Sequence, residues 1–269
     1  MSVTAPAYLS ALRGVVWREA LRFLQQRERF LAAMVRPLVW LFLFAAGFRA
    51  ALGLSIIPPY QTYITYDIYI APGLVAMIQL FNGMQSSLSM VYDREMGSMR
   101  VLLTAPLPRW FLLLARLSGG VFVSILQAYA FLAIAYLFGV DLPLWGMVTV
   151  FPALVLSGLM LGALGMLLSS TVKQLENFAG VMNFVIFPMF FASSALFPLW
   201  KIKESSLALY QVCSWNPFTH AVELIRFALY GELNGQAFVI VAAAFLTFLL
   251  AAVWAYDPSK GLQPRGGRG

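Results

Sequence analysis

Five stretches of the sequence, 68–92, 117–140, 142–172, 177–200 and 233–256, contain no Asp, Glu, Lys or Arg. Each is longer than the roughly 20 residues with which an α-helix crosses about 30 Å of hydrocarbon. A water-soluble fold of 269 residues cannot bury so much uncharged chain, because a domain of that size still exposes much of its surface. The composition agrees. Hydrophobic residues make up 61% and charged residues 11%, with mean hydropathy +0.80, against about half and about a quarter in soluble domains. Lipid offers the backbone no hydrogen-bond partners, so each crossing must be a closed helix. The sequence therefore predicts an all-α integral membrane protein.

Six transmembrane helices are expected, at about 31–52, 68–92, 110–140, 146–170, 177–200 and 233–256, within a membrane domain at 31–256. Residues 1–30 hold no signal-type apolar core and instead predict a cytoplasmic, amphipathic interfacial helix. Leu9, Leu12, Val16, Ala20 and Phe23 share one face of it, and Arg18, Arg22, Gln25 and Arg29 the other. Arg13 and Arg27 lie near the apolar side, where long side chains can snorkel to headgroups. Residues 257–269 form a tail.

Counting basic residues in the connections orients the chain. One side collects the N-terminal segment, 92–116, 171–176 and the tail, with 14 of the 18 Lys and Arg and net charge +8. The other side carries −1. The basic side is expected to be cytoplasmic, with both termini inside. The overall charge of +7 is then a matter of topology and membrane lipid, and no nucleic acid is expected.

Between spans five and six, 197–236 predicts an outer cap of short helices. Asn216-Pro217 is a helix-start signal, and that helix should run to about Tyr230 with Gly231 as its stop. Glu223 and Arg226 stand three apart, so they can pair on one helix face as a structural clasp.

The rare residues exclude much chemistry. A single histidine, His220, and a single cysteine, Cys213, rule out paired axial histidines, a Cys/His zinc cluster and an intramolecular disulfide. None of the lysines, Lys173, Lys201, Lys203 and Lys260, is followed by Ser or Thr, so the phosphate-binding loop of many ATPases is not expected. No acid falls within a central span, which disfavours a proton- or sodium-driven pump. No metal site and no catalytic residue are expected, and energy for transport would have to arrive from a partner.

A docking point for such a partner is the loop 92–106. Asp93, Arg94 and Glu95 supply charge at its start, and Met96, Met99 and Leu102 follow around Gly97 as groove-filling apolar groups. An ordinary cytoplasmic turn would read the same by composition. The run Asp93-Arg94-Glu95-Met96-Gly97-Ser98-Met99, then Leu102-Leu103 and Pro106 before a new span, resembles the coupling-loop signature of the ABC type-2 export permeases. Asn216-Pro217-Phe218-Thr219-His220, followed by Glu223 and Arg226 before the last span, is similar to a second signature of that family. The resemblance runs over about 9–256. It implies a homodimeric permease in the bacterial inner (cell) membrane. It also implies a separate ABC ATPase subunit, usually two copies, that would bind the ATP and Mg, with no cofactor on this chain. Substrate, an amphiphile or small organic molecule, would move outward between the two permease copies.

Two further features bear on that path. Gly158, Gly162 and Gly165 put small residues on nearby faces of span four, for packing either within one subunit or across a dimer. Phe184, Phe187, Met189, Phe190 and Phe191 make a soft aromatic surface that could line a path, or simply pack. The alternatives are a membrane-embedded lipid-modifying enzyme using His220, Glu223 and Ser214, or a passive channel or assembly subunit.

Overall fold

The computed structural model describes residues 5–25, 27–48, 58–61, 64–95, 108–172 and 175–255. These residues form α-helices joined by short connections. In chain order the helices are α1 (Ala5–Gln25), α2 (Arg27–Phe48), α3 (Tyr66–Glu95), α4 (Arg109–Leu137), α5 (Gly146–Thr149), α6 (Phe151–Thr171), α7 (Leu175–Phe191), α8 (Leu199–Ser205), α9 (Leu207–Trp215), α10 (Pro217–Leu229) and α11 (Gly235–Ala255). Three helical stretches are long and apolar enough to cross a membrane, Trp110–Leu137, Gly146–Thr171 and Gly235–Ala255. Shorter apolar helices cover Ala33–Leu43 and Gly180–Phe191.

The centre of the bundle is α3, which packs against α2, α4, α6, α7 and α10. Every residue from Ala71 to Leu80 is buried. Such close approach needs small residues on both sides. A Cβ on Gly165 of α6 would lie 2.5 Å from the Gly83 carbonyl oxygen of α3, and one on Gly83 would lie 2.9 Å from that of Leu161. Gly158 and Gly162 face Val121 and Leu117 of α4. The three glycines of α6 are thus used for packing inside one chain.

Polar side chains of α3 are matched at these seams. Gln79 Nε2 donates to the Leu154 carbonyl (2.7 Å), and the Ser157 hydroxyl donates to Gln79 Oε1 (2.6 Å), tying α3 to α6. Asn82 donates to Gln127 (2.6 Å), tying α3 to α4. A buried amide left unmatched would cost free energy.

The periphery is apolar. In α11 only Ala237, Val241 and Ala252 are buried, while Leu250 and Trp254 are exposed. Such apolar surface is unusual on a soluble monomer and suits lipid.

Some boundaries differ from expectation. The half-buried face of α1 is 8, 11, 12, 15, 16 and 19, leaning along the start of α4 with Tyr8 against Phe111 (4.8 Å) and Glu19 against Gly119. Leu9, placed with Leu12 and Val16 by periodicity, is exposed. The fifth span stops at Phe191 rather than continuing to Trp200. There Ser193 turns its hydroxyl back to the Phe190 carbonyl and accepts from the Ala195 N–H, and Pro198 precedes a new helix. Local bonds of this kind compete with helix propagation. Gly231, with φ +73°, follows α10 where a stop was expected.

Two glycine substitutions test the packing. Gly165→Ala drives a methyl into the α3 backbone and should cost about 1–3 kcal/mol in detergent unfolding assays. Gly180→Ala meets open space on a helix and should stabilise by about 0.5–1 kcal/mol.

Candidate functional site

Beyond α7 the chain runs without helix through residues 192–198, and 193–196 are buried. Its carbonyls cannot find partners in a helix ladder, so side chains supply them. Asn216 Nδ2 donates to the carbonyls of Met189 (2.8 Å) and Ala192 (2.6 Å). The Tyr69 hydroxyl (2.8 Å) and Arg226 Nη2 (2.9 Å) both donate to the Ser194 carbonyl. The Tyr66 hydroxyl donates to the Leu196 carbonyl (2.8 Å). Gly73 lets this segment lie directly on α3, for a Cβ there would come 2.6 Å from the Ala195 oxygen.

The Asn216-Pro217 pair is explained by these contacts. Asn216 Oδ1 accepts from the Phe218 N–H (3.0 Å), capping α10, while its amide nitrogen holds the end of α7. Pro217 occupies the first turn, where its missing N–H is not needed. Thr219 Oγ1 donates to the Cys213 carbonyl (2.7 Å) and His220 Nε2 to that of Ser214 (2.9 Å), serving the last carbonyls of α9.

Arg226 is the charged centre of the assembly and is only 2% exposed. It pairs with Glu223, lies over the Tyr69 ring with its guanidinium carbon 4.1 Å from the ring centre, and binds the Ser194 carbonyl. A buried cation needs such pairing and hydrogen bonding to be tolerated. The Tyr60 ring meets Tyr230 edge-on (4.9 Å). Burial pushes the Tyr60 phenol up to about 12, against the opposing pull of Arg226.

This arrangement positions backbone. His220 and Glu223 are engaged as described, and the Ser214 hydroxyl donates to the Gln211 carbonyl (2.9 Å). His220 and Ser214 are thus tied to carbonyls near the end of α9, and Glu223 to Arg226. Among the described residues no group of three or more His, Cys, Asp or Glu could hold a metal ion.

Asp93, Arg94 and Glu95 lie in the last turn of α3. Met96, Gly97, Met99 and Leu102 lie outside the described residues. The aromatic set divides. Phe184, Phe187 and Phe191 are exposed, whereas Phe190 is 3% exposed and packs near Trp40 and Phe218. Met189 is half-buried and lines an open groove of about 730 Å³ with Trp215 and Asn216. Tyr66, Tyr69 and Ser194 were not anticipated. Their signal is faint: hydroxyls within or beside charge-free runs, which announce a need for a partner but not its identity.

A family model described as ABC-2 type transporter matches residues 10–230, taking in both the 93–102 loop and the 216–226 motif. A Porphyra purpurea protein described as transport permease ycf38 is 28% identical over 223 residues, 81% of this chain and 74% of its own length. The Escherichia coli (strain K12) protein described as multidrug ABC transporter permease YbhR is 29% identical over 171 residues, 62% of this chain and 45% of its own length. Nodulation protein J of Rhizobium leguminosarum bv. viciae is 23% identical over 235 residues, 81% of this chain and 82% of its own length.

Arg226→Met should destabilise by about 3 kcal/mol, because it strands Glu223 and removes a donor from the Ser194 carbonyl. Tyr69→Phe should cost about 1 kcal/mol. Thermal unfolding of the purified chain measures both. The raised Tyr60 pKa adds a pH signature. The neutral phenol's stabilising share is intact below about pH 10 and is lost as pH climbs toward 12, since the unfolded chain ionises first. Tyr60→Phe should lessen that alkaline fall.

Proposed function

The chain belongs to the ABC-2 type transporter family, as a multi-pass transmembrane subunit, and from that membership we propose that it is the permease of an ATP-driven exporter. The observation that carries the proposal is the family match over 10–230, which includes the 93–102 loop and the Asn216–Arg226 motif in one chain. The family's partnership with an ABC ATPase gives the loop a role. A separate ATPase, in two copies, docks on Asp93, Arg94, Glu95, Met96, Gly97, Met99 and Leu102. These continue directly from the end of α3, the most buried helix of the bundle. A push on the loop is therefore applied along a rigid element that touches α2, α4, α6, α7 and α10.

In this reading α2, α3, α4, α5 with α6, α7 and α11 make six crossings. The α3 helix, 30 residues long, reaches about 45 Å. The helices α8–α10 form the cap on the outer side, and α1 rests at the cytoplasmic headgroup level with Arg13 and Trp17 exposed. Both termini are cytoplasmic, the membrane is a bacterial inner membrane, and two copies of the chain enclose the path. Substrate is an amphiphile or small organic molecule that moves outward. The exposed Phe184, Phe187 and Phe191 of α7 support an apolar surface along that path.

The purified chain should show no ATP hydrolysis of its own and should co-purify with an ATP-binding subunit. Glu95→Ala and Gly97→Leu should each lower transport-coupled ATP hydrolysis roughly tenfold, the effect of losing about 1.4 kcal/mol of contact, with unfolding temperature unchanged. Normal coupled turnover in both variants would remove the docking assignment.

A further inference from the structure

One exposed cation on α2 has no carboxylate partner among the described residues. Arg36 of α2 lies over the face of Phe81 of α3, its guanidinium carbon 3.9 Å from the ring centre, and no ion pair to it exists among the described residues. It borders a cleft of about 120 Å³ between α2, α3 and α4, whose other polar lining is Asn82, Gln85 and Gln127. The apolar lining is Ala33, Pro37, Met77, Ile78 and Phe81.

Each polar group has capacity to spare. A guanidinium stacked on a ring keeps its N–H edge free, and that planar fork matches an oxyanion. Gln127 is 6% exposed and accepts from Asn82 (2.6 Å), which leaves its own amide N–H groups without a protein acceptor among the described residues. Gln85 is exposed beside them and makes no hydrogen bond among the described residues. A cation on a membrane helix that borders a polar cleft is a candidate functional group.

The cleft also continues into apolar surface. Phe81 meets Phe187 of α7 edge-on (6.5 Å), and Phe187 stacks on Phe191 one turn further along (6.2 Å). Trp40 of α2 adjoins Phe191 (5.8 Å). A single polar mouth with a cation is thus joined to an aromatic track leading toward α8–α10.

We propose that the cleft between α2, α3 and α4 binds the anionic headgroup, phosphate or carboxylate, of an amphiphile whose tail lies along Phe187 and Phe191. This deepens the transporter reading, on which it rests, by assigning the substrate's charge. Arg36 forks on the oxyanion, and the amides of Gln127 and Gln85 donate to its remaining oxygens.

The test uses the full-length chain in phosphatidylcholine nanodiscs, with dodecyl phosphate, dodecyl maltoside and inorganic phosphate as probes in calorimetry. Dodecyl phosphate should bind at least tenfold more tightly than dodecyl maltoside or inorganic phosphate. Arg36→Gln should abolish that preference, and Arg36→Lys should keep part of it, since the charge remains while the fork is lost. Equal binding of the charged and neutral dodecyl probes would overturn the proposal without any variant. So would unchanged preference in Arg36→Gln, or inorganic phosphate binding as tightly as dodecyl phosphate. Repeating the titration in phosphatidylglycerol separates two sources of the same chemistry: competition by the bilayer assigns the site to a resident lipid, and persistence assigns it to another amphiphile. Stimulation of the partner ATPase is read separately. Arg36-dependent binding without such stimulation would sink the transporter reading and leave the site standing.

Discussion

A peptide carbonyl buried among apolar side chains must find its donor inside the protein. Residues 192–198 present this constraint in its sharpest form, and much of the bundle is arranged around meeting it. Arg226 and Tyr69 converge on the Ser194 carbonyl, Tyr66 on that of Leu196, and Asn216 on those of Met189 and Ala192. The donors come from α3 and from the start and middle of α10. The non-helical segment is consequently the joint at which α3, α7 and α10 are held together. Arg226 is held in turn by Glu223 and by the Tyr69 ring, so removing one member leaves another buried and unmatched.

The same logic extends down α3. Gln79 is shared with Leu154 and Ser157, and Asn82 with Gln127. Glycines at 73, 83 and 165 bring the backbones close enough for these short bonds. A helix fixed on so many sides behaves as one body. That packing supports the proposed transmission of force from its charged end, Asp93–Glu95, to the joint at its other end. Arg36 has no carboxylate partner among the described residues, and its free donors beside a polar cleft are the reason to look for a ligand there.

Much of this was legible in the sequence, and the part that was not has a clear physical cause. Charge-free runs located α3, α4, α6 and α11, because the cost of burying charge operates on each residue alone. Asn216-Pro217 and Gly231 located α10, because capping is local. The pairing of Glu223 with Arg226 was readable from helical spacing. The end of α7 at Phe191 was not, since 177–200 is uniformly apolar and the break depends on donors more than 100 positions away in sequence, Tyr66 and Tyr69. Spacing also grouped Phe190 with neighbours from which packing separates it. Arg36 was legible as a charge at the edge of a span, but its seat on Phe81 belongs to tertiary structure.

The central claim is that Arg226 holds the 192–198 segment in place from within. The most direct measurement is maleimide labelling of Ser194→Cys in a Cys213→Ala background, which removes the sole native cysteine. Ser194 is fully buried, so the variant should label slowly, and adding Arg226→Met should speed labelling on the order of tenfold as the segment loses its tether. Fast labelling with Arg226 intact, or no change when it is replaced, would contradict the account.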